Sequence, residues 1–297
     1  MDTVLVSVLL PAALGIVMFG LGLSLTVADF VRIRRQPRAV VVALGCQLLL
    51  LPAACFGIVL LFDLAPLLAV GMLLLAASPG GTTANLFSHL FRGDVALNIT
   101  LTAVNSLIAI VTLPAIINIG LGYFEPTVGG EDVTLPVTKV LEVFAIVLVP
   151  VGLGMLVRRR APGFAARADR PVRILSAVVL AAVIAGAIVS ERDHIGDYLA
   201  DVGLAALLFC TLSLGVGYLV PRACGIDRRQ ATACAMEIGI HNSTLAITVA
   251  VSVLDSVDLA IPAAVYSVVM FPAAGLAGWL IIRRRAAVEP ADASTPA

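Results

Sequence analysis

Apolar stretches long enough to cross a bilayer follow one another along almost the whole chain, separated by short charged loops. A transmembrane helix needs about 20 predominantly apolar residues. In lipid, every backbone polar group must find its partner inside the protein, and helices do this within each segment. Composition agrees, with 60% of residues hydrophobic and 13% charged, against roughly 45–50% apolar content in soluble domains. The expected fold is an all-α polytopic membrane protein. Nine spans are read, at about 4–28, 39–62, 64–90, 95–122, 136–157, 172–190, 200–220, 231–254 and 259–282. Residues 1–285 then form a single transmembrane domain and 286–297 a short polar tail. The opening Met1-Asp2-Thr3-Val4 lacks the basic flank of a signal peptide, so the first run is read as a retained span. The five cysteines are scattered without metal-ligand spacing, which points to free thiols.

The loops alternate in charge although the net charge is zero. Arg32, Arg34, Arg35 and Arg38 mark the first loop and Arg92 the third. Arg158, Arg159 and Arg160 open the fifth, Arg222, Arg228 and Arg229 the seventh, and Arg283, Arg284 and Arg285 the tail. The loops between them carry Asp63, then Glu125, Glu131 and Asp132, then Glu191, Asp193, Asp197 and Asp201, then Asp255 and Asp258. Basic loops stay cytoplasmic. The N-terminus is therefore expected outside and the C-terminus inside a cell (inner) membrane. Ordinary solvated loop charge explains one such loop but not the alternation.

Two spans are broken by polar residues. The third contains Pro79-Gly80-Gly81-Thr82-Thr83-Ala84-Asn85, and the eighth contains Glu237-Ile238-Gly239-Ile240-His241-Asn242-Ser243. Paired interruptions are the best sequence pointer to a transporter's binding site. The two spans cross in opposite directions, as in an inverted-topology repeat in which spans one to four match six to nine. A proline and two glycines predict an unwound segment at 79–81, with Thr82, Thr83 and Asn85 opening a second half-helix. Its N–H groups and positive dipole end favour an anion. The bland reading is a kink relieved by hydroxyl side chains.

Glu237 is an ionisable group in mid-span and needs a cation, a proton or a hydrogen-bond partner. Glu237 and His241 are spaced i, i+4, so on a continuous helix they share a face. A buried hydrogen-bond network and a proton relay are the competing readings. Zinc lacks a third ligand. Gln47 lies inside span two, and Asn98, Thr102 and Asn105 form one polar face of span four. These are neutral oxygens, and with one carboxylate they suit a hard monovalent cation such as sodium. Each alone is more simply a helix–helix hydrogen bond.

The run Ser78-Pro79-Gly80-Gly81-Thr82-Thr83-Ala84-Asn85, continuing through Arg92-Gly93-Asp94-Val95-Ala96-Leu97-Asn98, resembles the fourth-helix signature of the bile acid:sodium symporter family. Glu237-Ile238-Gly239-Ile240-His241-Asn242-Ser243 resembles its second crossover motif, and Gly15 to Leu23 also matches. The likeness covers essentially the whole chain, as in nine-span bacterial members. It implies a core of spans two, three, four, seven, eight and nine, and a panel of spans one, five and six. It implies a first sodium site at Asn85, Asn98, Thr102 and Glu237. Ala84 and Asn98 stand where the family usually has serine. It implies a second sodium site at Gln47, the backbone of Glu237, Ile238 and Ile240, and His241, where glutamine is usual. The distant arsenite exporters use a cysteine at the first crossover, and none is present there.

The expected function is a sodium-coupled symporter importing an organic anion, a carboxylate such as a bile-acid-like, keto or hydroxy acid, by alternating access. Thr82, Thr83, Asn242 and Ser243 are the expected substrate contacts. Sodium is the coupling ion, with no other cofactor, no enzymatic activity, no nucleic acid and no protein partner beyond membrane lipid. Proton coupling through Glu237 and His241 stays open, as does a membrane receptor that senses an anion without moving it.

Overall fold

A computed structural model describes residues 10–135, 137–168, 171–172, 174–175, 178 and 195–288. Most of the sixth expected span, 172–190, and the start of the first lie outside the described residues. The described residues are helical apart from one small hairpin and the connecting loops. In order come α1 (Leu10–Ser24), α2 (Val27–Val31), α3 (Pro37–Leu61), α4 (Pro66–Ala77), α5 (Thr82–Leu90) and α6 (Val95–Phe124). After the hairpin of β1 (Thr127–Val128) and β2 (Glu131–Asp132) follow α7 (Val137–Arg160), α8 (Ile195–Ala223), α9 (Arg228–Gly239), α10 (Ser243–Val253) and α11 (Ile261–Val288). Four helices among the described residues are long and apolar enough to cross a membrane. The shorter α4/α5 and α9/α10 occupy the two broken spans.

Local chemistry sets these boundaries. Pro37 and Pro66 stand at helix starts, where the missing N–H costs nothing. Asp94 caps α6 by accepting from the Leu97 N–H at 3.0 Å. Asp227 caps α9 by accepting from Arg229 and Gln230. Gly129 and Gly130, with φ of 63° and 87°, form the two-residue turn of the hairpin, which needs both residues left-handed. α3 and α10 each contain a π-helical turn, at Cys46–Leu50 and Val249–Val253.

Burial places the two breaks at the centre. Every residue from 68 to 81 and from 231 to 250 is buried. The outer helix faces are apolar and exposed instead, with Leu49 at 74% and Val111 at 68% exposure. This is the inside-out pattern of a chain whose solvent is lipid.

α1 packs most extensively on α7, and α8 on α9 and α11. The α1–α7 contact brings backbone against backbone: a Cβ on Gly22 would overlap the Val151 carbonyl, and one on Gly154 the Phe19 carbonyl. Small residues permit this approach, and dispersion between helices then replaces the hydrophobic effect. Gly154→Ala is expected to destabilise the protein by about 1–3 kcal/mol, the usual cost of overpacking. It should appear as a lower unfolding midpoint in detergent. Gly152→Ala, beside which there is open space, is expected to leave the midpoint unchanged.

Candidate functional site

The residue before a proline is driven to extended backbone. Ser78 obeys with ψ of 139° and ends α4. Gly81 then serves as the N-cap of α5. The second break has no proline. α9 ends at Gly239, and the Asn242 side-chain oxygen restarts the helix by accepting from the Leu245 N–H at 3.1 Å. His241 therefore lies beyond α9, and the shared helical face expected for Glu237 and His241 does not form.

The two unwound segments pair with each other, antiparallel, as an isolated bridge between Gly80 and His241. The Gly81 N–H donates to the Ile240 carbonyl at 2.9 Å and the Asn242 N–H to the Pro79 carbonyl at 2.8 Å. The breaks of the third and eighth expected spans thus meet at hydrogen-bond distance. The bridge also explains Gly80: the Glu237 carboxylate occupies the space where a side chain at position 80 would begin.

Around that carboxylate, donors are consumed and acceptors are left over. The Thr102 hydroxyl donates to Glu237 Oε2 at 2.5 Å, and the Asn98 amide nitrogen donates to the Ala233 carbonyl at 2.7 Å. Glu237 Oε1, Asn98 Oδ1 and Asn85 Oδ1 are buried without a partner. So is Asn105 Oδ1, on the same polar face of α6, which the sequence offers as a neutral oxygen but which the resemblance places in neither sodium site. The signal for it was the 98, 102, 105 spacing. Ala84 is fully buried and offers no side-chain oxygen.

A second group centres on the Ser78 carbonyl. It accepts from Gln47 Nε2 at 3.2 Å and faces His241 Nδ1 at 3.1 Å. A carbonyl only accepts, so the neutral imidazole carries its proton on Nδ1 and presents a lone pair on Nε2. Gln47 Oε1 and His241 Nε2 are both buried and unpartnered. Glu237 and Ile238 stand in the last turn of α9, whose carbonyls lack intrahelical donors. The Ile240 carbonyl accepts from Gly81. Phe209 stacks on the imidazole at 5.5 Å between centroids, and Tyr266 meets it edge-on at 5.5 Å while donating its hydroxyl to the Gly239 carbonyl. Sequence reasoning missed these two aromatic residues, because nothing in a mid-span phenylalanine or tyrosine announces a partner elsewhere in the chain.

Buried acceptors without donors are costly in a low-dielectric interior. A cation satisfies several of them at once. No group of three or more histidine, cysteine or acidic side chains suited to a metal occurs among the described residues. The unpartnered atoms are the neutral amide oxygens of Asn85, Asn98, Asn105 and Gln47, one carboxylate oxygen and one imidazole nitrogen, and oxygens of this kind are ligands for hard cations.

The expected substrate contacts differ in setting. Thr82 opens α5, with its side chain outside the described residues. Thr83 is exposed, Ser243 is buried with an unpartnered hydroxyl, and the Asn242 oxygen is engaged in capping. A cavity of about 230 Å³, lined by Leu25, Ala103, Leu107, Leu148, Val151 and Met155 with Ser106, lies between α6, α7 and the α1–α2 junction.

Residues 11–197 match the profile of the Sodium Bile acid symporter family. An uncharacterized sodium-dependent transporter of Bacillus subtilis (strain 168) is 28% identical over 259 residues, covering 86% of this chain and 77% of the relative. The human ileal sodium/bile acid cotransporter is 27% identical over 249 residues, covering 83% and 70%. A probable sodium/metabolite cotransporter of Arabidopsis thaliana chloroplasts is 26% identical over 259 residues, covering 86% and 62%.

The bridge makes Gly80 a sensitive test. A methyl group in Gly80→Ala would displace the Glu237 carboxylate from Thr102. A ligand at 100 times its dissociation constant stabilises a protein by about 2.7 kcal/mol. Replacing potassium by sodium is expected to raise the unfolding midpoint of the wild type and to leave that of Gly80→Ala nearly unmoved.

Proposed function

The chain belongs to the sodium bile acid symporter family, a polytopic membrane transporter and not an enzyme, and from that footing we propose that it imports an organic carboxylate together with sodium by alternating access. The observation that carries this reading is the set of buried, unpartnered acceptors on the elements that meet at the crossing: Asn85 on α5, Asn98 on α6 and Glu237 on α9, with Gln47 and His241 both facing the Ser78 carbonyl. Sodium at the first group would bind those oxygens beside the Thr102 hydroxyl. At the second it would meet Gln47, His241 Nε2 and the backbone of Glu237, Ile238 and Ile240.

The anion would bind beside the crossing. Thr82, Thr83, Asn242 and Ser243 are the proposed contacts, with the half-helix start of α5 supplying positive potential. The 230 Å³ cavity between α6, α7 and the α1–α2 junction, with its apolar walls, would take the hydrocarbon part of such an anion. In this reading α1, α7 and the sixth span form a panel, and α3 to α6 with α8 to α11 form the core. The loop charges support an N-terminus outside and a C-terminus on the cytoplasmic side of a cell (inner) membrane.

A second reading, proton coupling through Glu237 and His241, draws on the lone pair of His241 Nε2, which can take a proton as readily as a cation. The two readings differ in charge. Two sodium ions with a monoanion carry one net positive charge inward per cycle, and each charge gains about 2.3 kcal/mol per 100 mV. Substrate-induced current on a solid-supported membrane, after a thermal-shift screen of organic anions in sodium and potassium, separates them. A sodium-dependent current in wild type that is abolished in Glu237→Gln is expected. Current that appears only in His241→Gln would mean that the imidazole removes the second sodium. Current driven by a pH gradient without sodium would establish the second reading in place of the first.

A further inference from the structure

The chain contains one lysine among its 19 basic residues. That residue, Lys139, places its ammonium 2.5 Å from the Asp255 carboxylate, in the only ion pair among the described residues. The partners are 116 positions apart. Lys139 lies in the first turn of α7, where the helix dipole disfavours a cation. Its position there runs against local preference and is compensated by a distant partner. Asp255 follows the end of α10 in a left-handed conformation, φ 53°, which aspartate tolerates better than most residues. The pair thus ties the proposed panel to the outer half of the second crossover helix, and α7 also packs against the π-helical turn of α10.

Both residues lie on the side that the loop charges mark as external. The opposite half of the same crevice is different. There the 230 Å³ cavity separates Leu25, Val151 and Met155 from Ala103, Ser106 and Leu107 of α6. Leu25, at the end of α1, and Met155, just before Arg158–Arg160 on α7, are on the cytoplasmic half. The boundary between α7 and the proposed core thus holds an ion pair toward its external end and a cavity toward its cytoplasmic end.

We propose that Lys139 and Asp255 form an external latch between panel and core, which favours the outside-closed state and must part before the site opens outward. This rests on the alternating-access reading. Exposed pairs are individually weak: Lys139 is 30% and Asp255 75% exposed. A weak pair suits a latch that must open in every cycle. Measured couplings of such pairs correspond to about a 1.5- to fivefold change in an equilibrium constant.

The test places spin labels at Thr134 and Val257, exposed positions flanking the pair on its two sides, in a background with Cys224 replaced. Distance distributions are recorded in liposomes in sodium chloride and in N-methylglucamine chloride, at one ionic strength because screening alters exposed pairs. Lys139→Gln and Asp255→Asn are each expected to raise the long-distance, outward-open population about 1.5- to fivefold. The charge-reversed double variant, Lys139→Asp with Asp255→Lys, is expected to return it toward wild type. If two populations respond to sodium but neither single variant shifts them, or the reversed pair equals the sum of the single effects, the latch is refuted and alternating access stands. A single distance that sodium and all variants leave unchanged refutes alternating access, and the latch with it.

Discussion

The fold depends on one short piece of backbone pairing. Unwinding a helix inside hydrocarbon exposes N–H and C=O groups that have no water to turn to, and each costs several kcal/mol if left alone. Here two such segments satisfy one another, through Gly81 to Ile240 and Asn242 to Pro79. Neither break is tolerable without the other. The helices that carry them must therefore cross, and the half-helices must end and begin at the same depth. The same pairing brings α6 and α3 within reach, since Thr102 and Asn98 bond to α9 while Gln47 bonds to the carbonyl just before the first break.

Donor accounting then decides what kind of ligand the crossing can accept. The amide nitrogen of Gln47, the amide nitrogen of Asn98, Nδ1 of His241 and the hydroxyl of Thr102 are all directed at protein acceptors. What faces inward is the remaining lone pairs. A substrate anion placed directly among them would be repelled, whereas a cation would be held. In the proposed reading, attraction of a carboxylate to this centre would depend on a cation bound there first, which would give a physical reason for coupling in a site that lacks arginine. With its proton on Nδ1 directed at the Ser78 carbonyl, His241 presents one unpartnered acceptor, Nε2, and no further donor.

Much of this was legible in the sequence because length and polarity alone specify it. The apolar runs predicted helices whose ends agree with α3 and α6 to within two residues and with the start of α11 to within two, and Pro79-Gly80-Gly81 located the first break by its backbone chemistry. The second break was harder. Polar residues marked it, but i, i+4 spacing suggested a helical face across Glu237 and His241. Only the Asn242 cap, a side chain reading as a substrate contact, shows where the helix restarts. Partner choice was not legible at all. Nothing local in Gly80 says that a carboxylate from position 237 fills its missing side chain, and nothing local in Phe209 or Tyr266 says that they enclose an imidazole. Such facts belong to the assembled chain, and periodicity carries no record of them.

The Ser78 carbonyl holds both Gln47 and His241, and it is a main-chain atom. No codon change at position 78 can delete it. The Ser78 side chain is a separate matter, since its hydroxyl merely returns to the Leu74 carbonyl one turn back. A mutational scan of that residue would register the hydroxyl and miss the oxygen on which two site residues converge. The heritable control over that oxygen's direction is one position downstream, in the ring of Pro79, which fixes the backbone angle of the residue before it. What natural variation can adjust at this junction is thus the aim of the acceptor, never its presence.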